Sequence, residues 1–232
     1  MDPPMNTTTT TTTMMPTTTM TTTTPCPKQS YNIVFGLHTD NANHLMIVEH
    51  VNNFTTILED FYSEDEDVMN HFGGRVSNIV KSVEIDKYET QEKFISDFKA
   101  LDKETKKAYK NTNIADNLKY GVEDLRKVHM ANTKNVIILF QNGSDKTGYD
   151  DQAAQGKLAR DHGYLTYVIQ YSNHPAAESA YKLTGERPEL YRPTKDVNSI
   201  RKEMNKILDE LVKSDPCYDF YKDEWENEEE DE

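Results

Sequence analysis

Residues 32–43 read Asn-Ile-Val-Phe-Gly-Leu-His-Thr-Asp-Asn-Ala-Asn, and this stretch decides the fold. It begins with a nearly continuous apolar run around Ile33, Val34 and Phe35, of the kind that only a strand buried on both faces needs. A polar loop follows, and residues 44–62 then repeat apolar side chains at steps of three and four, which predicts an amphipathic helix. The stretch therefore indicates the first strand and the first helix of an α/β sheet.

Further along the chain, apolar runs alternate with helical patterns. Strands are predicted at 75–81, 83–88, 136–140, 165–171 and 190–192. Helices are predicted at 91–101, 114–130, 176–183 and 196–213, and a further helix begins near Asp150 or Asp151 and has Gly163 as its C-terminal cap. This order predicts a doubly wound, mostly parallel sheet with helices on both faces, a Rossmann-like α/β fold. We expect the strand at 136–140 to lie beside the first strand. Ligands of such sheets usually bind beyond the carboxyl ends of central strands, so the loop 38–43 is the first place to look for a site.

The composition divides the chain into three parts. Residues 1–25 are rich in threonine and are expected to be unstructured, either as an O-glycosylated, mucin-like stalk or as a plain linker. Residues 26–217 are expected to form one domain, and residues 218–232 a solvated, disordered acidic tail. The net charge is -14, but ten acidic residues and one lysine lie from position 215 onward. The acidity is therefore mostly a property of the tail.

Several function classes are disfavoured by the same composition. The chain has no basic stripe, which argues against nucleic acid as a partner, and no apolar run of the roughly 18 residues that a membrane span requires. Residues 1–25 carry threonine where a signal peptide would carry an apolar core. There is no glycine-rich phosphate loop and no nucleophile elbow, and Asp40 would repel phosphate. A flavodoxin-like enzyme is therefore the less favoured alternative, and no catalytic residue is expected.

Four stretches in this order resemble a von Willebrand factor type A domain. They are residues 32–37, the run Asn111-Thr112-Asn113-Ile114-Ala115-Asp116-Asn117-Leu118, residues 136–143 and residues 165–171. The likeness extends over residues 31–213. It implies a sheet of six strands, one of them an antiparallel edge strand, and a noncatalytic module of the extracellular, nematode-like or matrix type.

The resemblance also implies a place for Mg²⁺ or Mn²⁺, the metal-ion-dependent adhesion site, to which this sequence is poorly matched. His38 stands where the family has the first aspartate of a DxSxS loop, Asp40 replaces its first serine, and Ala42 its second. Thr112 is retained, and Asn142 replaces the last aspartate. We therefore interpret the five positions as a degenerate metal site that is still a candidate for ligand binding.

Ligand chemistry supports this interpretation. Mg²⁺ prefers hard oxygen ligands, whereas Ala42 offers no ligand, His38 a softer nitrogen and Asn142 an uncharged carbonyl. No cofactor is expected, with Mg²⁺ or Mn²⁺ as the alternative. A zinc site is less favoured. His38 and Asp40 would supply two ligands, with His44 as a distant third, whereas zinc sites usually have three or four protein ligands. A hydrogen-bonded pair of His38 and Asp40 is the simpler interpretation. The retained threonine could equally be a helix cap.

Two cysteines and three glycosylation sequons bear on localisation. Cys26 precedes the first strand and Cys217 follows the last helix, so both should emerge at the same end of a doubly wound sheet. We expect a disulfide between them. The resemblance agrees with this, because extracellular members of the family often close the domain with such a bond. Two free thiols in a reducing compartment are the alternative. Asn53 and Asn142 each begin an N-x-Ser/Thr sequon, as does Asn6, and these matter only in a secreted protein.

The sequence as a whole predicts an extracellular or secreted module that binds a protein or an extracellular-matrix ligand, in a way that is independent of metal. An intracellular scaffold domain of the same fold is the alternative, because no signal peptide is visible in this chain.

Overall fold

The computed structural model describes residues 29–38, 43–62, 68–76, 82–87, 90–102, 114–128, 132–142, 149–172 and 177–219. The five strands are β1 (Ser30–Leu37), β2 (His71–Val76), β3 (Thr133–Gln141), β4 (Leu165–Tyr171) and β5 (Tyr191–Thr194). The six α-helices of the described part are α1 (His44–Phe61), α2 (Gln91–Ala100), α3 (Ile114–Leu125), α4 (Tyr149–Asp161), α5 (Ala177–Leu183) and α6 (Ile200–Lys213). Short 3₁₀ turns lie at Ile85–Lys87, Pro188–Leu190 and Val197–Ser199.

The strands form one sheet in the order β2-β1-β3-β4-β5, and every neighbouring pair is parallel. Strands β1 and β3 lie side by side at its centre, with Phe35 opposite Ile138. This confirms the predicted neighbours and the doubly wound α/β fold. Because the strands are parallel, their carboxyl ends all lie at one edge of the sheet.

The prediction of six strands is wrong for the described part of the chain, which contains five. The segment predicted as a strand at 83–88 makes one antiparallel bridge, in which Val83 and Gly74 exchange two backbone hydrogen bonds of 2.9 and 2.8 Å. It then turns into the 3₁₀ helix. Gly73 explains the turn, because a Cβ there would lie 3.1 Å from the Cβ of Ile85. Because Gly73 has no side chain, the side chain of Ile85 can pack directly on β2 and is buried there. The chain then turns away from the edge of the sheet after the bridge at Val83.

The sheet separates two apolar layers. On one face, β1 presents Phe35 and its alternate neighbours to α1, α2 and α6; on the other, Val34 packs with α3, α4 and α5. All eight residues of β1 are buried, which explains why its second half, from Ile33 to Leu37, carries no polar side chain. Burying a large apolar side chain stabilises a fold by about 1.5–3 kcal/mol, so β1 and β3 supply much of the core.

Helix ends follow the signals in the sequence. Thr90 caps α2 by accepting a hydrogen bond from the backbone N–H of Lys93. Gly163 adopts a positive φ of 76° just beyond α4, as predicted for a C-terminal cap. The helix predicted at 114–130 ends earlier, at Leu125, where a turn begins.

Candidate functional site

The candidate site lies at the carboxyl edge of the sheet, where β1 and β3 end. The backbone N–H of His38 donates to the carbonyl of Phe140 at 2.8 Å, which continues the pairing of β1 with β3 by one residue. His38 is 9% exposed, and Asn142, the residue after β3, is exposed. The structure therefore places these two predicted site residues at adjacent strand ends.

Helix α3 holds the end of β1 through a buried asparagine. The side-chain amide of Asn117, 3% exposed, donates to the carbonyl of Leu37 at 2.9 Å. Gly36 allows this approach, because a Cβ there would lie 3.1 Å from the Cβ of Asn117 and 2.6 Å from a methyl of Leu139. The first turns of α3 are thereby fixed against the last residue before the site loop.

A second buried network holds the end of β3. The amide of Gln141 donates to the hydroxyl of Ser179 at 2.9 Å, and that hydroxyl donates to the side-chain oxygen of Gln152 at 2.8 Å. All three side chains are fully buried. Since Gln152 lies on α4 and Ser179 on α5, both helices are tied to β3, the strand that ends at Gln141 just before Asn142.

The first turn of α1 comes directly after the site loop in the sequence. His44 is 2% exposed, and its Nε2 lies 3.1 Å from the carbonyl of Phe98 on α2. Burial lowers the pKa of His44, which keeps the ring neutral near pH 7. The next two side chains, Leu45 and Met46, are 51% and 39% exposed. An apolar rim thus follows directly on the site loop.

Asp40, Ala42 and Thr112 lie outside the described residues. The structure locates His38 and Asn142, and the full five-residue arrangement stays a prediction. His44, weighed as a third zinc ligand, directs its Nε2 to the carbonyl of Phe98.

The two side chains that the structure places at this edge, His38 and Asn142, are poorly suited as ligands of Mg²⁺. A buried imidazole and a neutral amide replace the anionic oxygens that this ion prefers. Among the described residues, no group of three or more His, Cys, Asp or Glu side chains is placed to hold a metal ion. Within the same residues, no helix has the length and apolar character needed to cross a bilayer.

Cys217 and Asn53 are both in the described part. Cys217 is fully buried and is not a free thiol, whereas its predicted partner Cys26 lies outside the described residues, so the pairing stays a prediction. Asn53 lies inside α1, and the hydroxyl of Thr55 in its sequon is buried and donates to the carbonyl of Val51. This is not the surface loop in which a glycan acceptor is expected.

Sequence reasoning missed Asn117 and Gln141 as supports of the site. One local signal was available, because a glycine inside a buried strand, as at Gly36, often marks a close approach by another element. The identity of the approaching residue had no such signal, because Asn117 lies 80 positions from Leu37.

Comparison with known proteins agrees with this architecture. Residues 51–210 match the family model of the von Willebrand factor type A domain. A comparison with curated protein sequences gave no match.

Three solved structures illustrate the likeness of fold. Proximal thread matrix protein 1 from the mussel byssus, with a zinc-occupied MIDAS motif, is 14% identical with a TM-score of 0.62, over 79% of this chain and 48% of that one. The pilus adhesin SpaC from Lactobacillus rhamnosus GG is 13% identical with a TM-score of 0.56, over 79% and 30%. A von Willebrand factor type A protein from Catenulispora acidiphila is 9% identical with a TM-score of 0.54, over 78% and 42%. The chain thus spans less than half the length of each, and at these identities the likeness shows the fold alone.

Proposed function

This chain belongs to the von Willebrand factor type A family, and from that premise we propose that it is a noncatalytic adhesion module that binds a protein or an extracellular-matrix ligand without a metal ion. The observation that carries the proposal is the chemistry of the sheet edge. A buried imidazole at His38 and a neutral amide at Asn142 stand at the two central strand ends.

The same edge has groups suited to contact with a protein surface. Leu45 and Met46 are large apolar side chains that are exposed on the first turn of α1. Exposed apolar groups beside a polar rim are typical of sites where proteins bind one another. We propose that these two side chains make the main contacts with the ligand. In members of the family that hold a metal ion, a carboxylate of the ligand binds to that ion instead.

The extracellular setting is part of the proposal. Two of the similar structures are those of a matrix protein from the mussel byssus and of a pilus adhesin, names that fit an extracellular setting. In this chain we propose that residues 1–25 form a stalk or linker, residues 26–217 the domain and residues 218–232 an acidic tail. Secretion would also allow the disulfide between Cys26 and Cys217 and a glycan at Asn142.

The metal claim is tested by calorimetric titration of the full chain with Mg²⁺, Mn²⁺ and Zn²⁺. We expect no saturable heat at millimolar Mg²⁺ or Mn²⁺. The matched control is the variant His38→Asp, Asp40→Ser, Ala42→Ser and Asn142→Asp, which restores the family's oxygen ligands and should bind Mg²⁺. Tight, saturable binding of any of the three ions by the unchanged protein would overturn metal independence.

The adhesion claim is tested with protein purified from producing cells. Binding to immobilised cell-derived matrix should persist in EDTA and fall roughly fivefold when Leu45 and Met46 are both changed to Ser. Loss of binding in EDTA would contradict the proposal, as would equal binding by the double variant. Mass spectrometry of the same material should find Cys26 joined to Cys217, whereas free cysteines and unmodified threonines would favour the intracellular scaffold.

A further inference from the structure

The outer surface of α3 carries an exposed tyrosine in contact with two cations. Tyr120 is 43% exposed. The guanidinium carbon of Arg75, on β2, lies 5.2 Å from the centre of its ring, and the ammonium nitrogen of Lys119 lies 5.4 Å from the same point. Both distances are within the range of a cation–π contact. These three side chains therefore form one continuous patch, which we call the Tyr120 surface.

A buried carboxylate fixes the arginine of this surface. Asp124 is 1% exposed, and its Oδ2 accepts from Nε of Arg75 at 2.6 Å and lies 2.5 Å from Nη2. Contact with two nitrogens of the planar guanidinium sets its orientation. The side chain of Arg75 is 15% exposed, and within the described residues no acceptor contacts its third nitrogen, Nη1. An arginine held in this way loses little conformational freedom when it binds a further acceptor.

The Tyr120 surface is positive although the chain as a whole is acidic. Oδ1 of Asp124 lies 3.0 Å from Nζ of Lys127, so the single negative charge of this carboxylate is shared between two cations. That group keeps one positive charge, and Lys119 adds a second. Glu84, close by, is paired with Lys87 at 2.7 Å. At physiological salt, charges are screened beyond about 8 Å, so these neighbours decide the local charge and the distant acidic residues do not.

We propose that the Tyr120 surface is a docking site for an acidic segment of a partner protein, one that presents a carboxylate beside an apolar side chain. The carboxylate accepts from the guanidinium of Arg75, and the apolar group packs on the exposed part of the tyrosine ring. Tyrosine and arginine are among the residue types enriched where a few side chains dominate protein–protein binding. Helices α1 and α3 cover opposite faces of the sheet, so this site is separate from Leu45 and Met46 and does not rest on the proposed function.

The chain offers a matched pair of exposed tyrosines for the test. Tyr120→Ser removes the aromatic ring of the surface, and Tyr181→Ser removes a tyrosine of nearly equal exposure, 44%, on α5. Lys119→Glu reverses one charge of the surface. Glu123→Gln removes an exposed acidic group one turn further along α3. All four side chains are exposed, so the variants should keep the fold, which circular dichroism checks.

The probe is a short, fluorescein-labelled peptide of glutamates interrupted by leucines, titrated with the full chain and followed by fluorescence anisotropy. We expect saturable binding that weakens as salt is raised. Tyr120→Ser and Lys119→Glu should each weaken binding roughly tenfold, and Tyr181→Ser should leave it within about twofold. Glu123→Gln should strengthen binding, because it removes a charge that repels the ligand. A peptide with glutamine in place of every glutamate is the ligand control and should not bind.

The proposal is overturned if the acidic peptide shows no saturable binding, if the glutamine peptide binds equally well, or if Tyr181→Ser weakens binding as much as Tyr120→Ser. Sedimentation velocity adds a further check. Self-association of the unchanged chain that is lost in Lys119→Glu would assign the surface to a second copy instead. The double variant of Leu45 and Met46 should bind the peptide as tightly as the unchanged protein, so a failed adhesion assay leaves this result intact.

Discussion

Replacing Asn117 should loosen the end of β1 and destabilise the domain. The amide donates at 2.9 Å to the carbonyl of Leu37, and the two side chains are 3% and 2% exposed. Losing an ordinary hydrogen bond costs about 1 kcal/mol, and a buried carbonyl left unpaired costs up to about 3 kcal/mol. We therefore expect Asn117→Ala to lower the free energy of unfolding by about 2 kcal/mol.

Asn117→Asp gives a sharper version of the same prediction. The carboxylate keeps the shape of the amide but presents an oxygen to the carbonyl of Leu37, so the loss at pH 7 should exceed that of the alanine variant. A charge near the start of α3 returns about 0.3–1 kcal/mol, which is less than the expected loss. The loss should shrink at low pH, because a protonated carboxyl group can donate to the carbonyl.

Urea unfolding followed by circular dichroism measures the free energies, and amide hydrogen exchange at His38 reports the site loop itself. Lys119→Ala, an exposed change on the same helix, is the matched control and should stay within about 0.5 kcal/mol of the unchanged protein. An aspartate variant as stable as the unchanged protein at pH 7 would refute the role given to Asn117.

Three further predictions concern the fold. Asp124 is 1% exposed and accepts from Nε of Arg75 at 2.6 Å, so Arg75→Leu should cost about 2–4 kcal/mol by urea unfolding, and a double variant with Asp124→Leu should cost less than the sum of the single changes. Gly156→Ala would press a methyl group into the carbonyl oxygen of Lys182, and we expect its melting temperature to fall by several degrees, in line with a loss of about 2–3 kcal/mol. Burial lowers the pKa of His44 below the ordinary histidine value of 6.5, so the unfolded chain binds the proton more readily and stability should fall as the pH drops below 6.5. His44→Gln should flatten that fall between pH 7 and 5, and an unchanged pH profile would contradict this assignment.

Local pattern was a good guide to the elements of the sheet. The apolar runs at 33–37, 136–140 and 165–171 became β1, β3 and β4, because strands buried on both faces need apolar side chains at nearly every position. The helices that cover the sheet were readable from their spacing of three and four residues. The edge was harder, since the stretch 83–88 has strand-like alternation but buries Ile85 over Gly73 instead of extending the sheet.

The sequence by itself determined the buried strands β1, β3 and β4 and the helices between them, and hence the parallel centre of the sheet and the edge at which His38 and Asn142 lie. The sequence also determined the chemistry of that edge, because the residue types at its strand ends, an imidazole and a neutral amide, can be read directly from the chain. Only the tertiary structure decided what supports each end of the sheet. Asn117 reaches Leu37 across 80 positions, and Asp215 reaches Gln29 across 186. Such pairs cannot be predicted from hydrophobic periodicity. A hydrogen bond between distant segments depends on how whole layers pack and not on the residues beside either partner in the sequence.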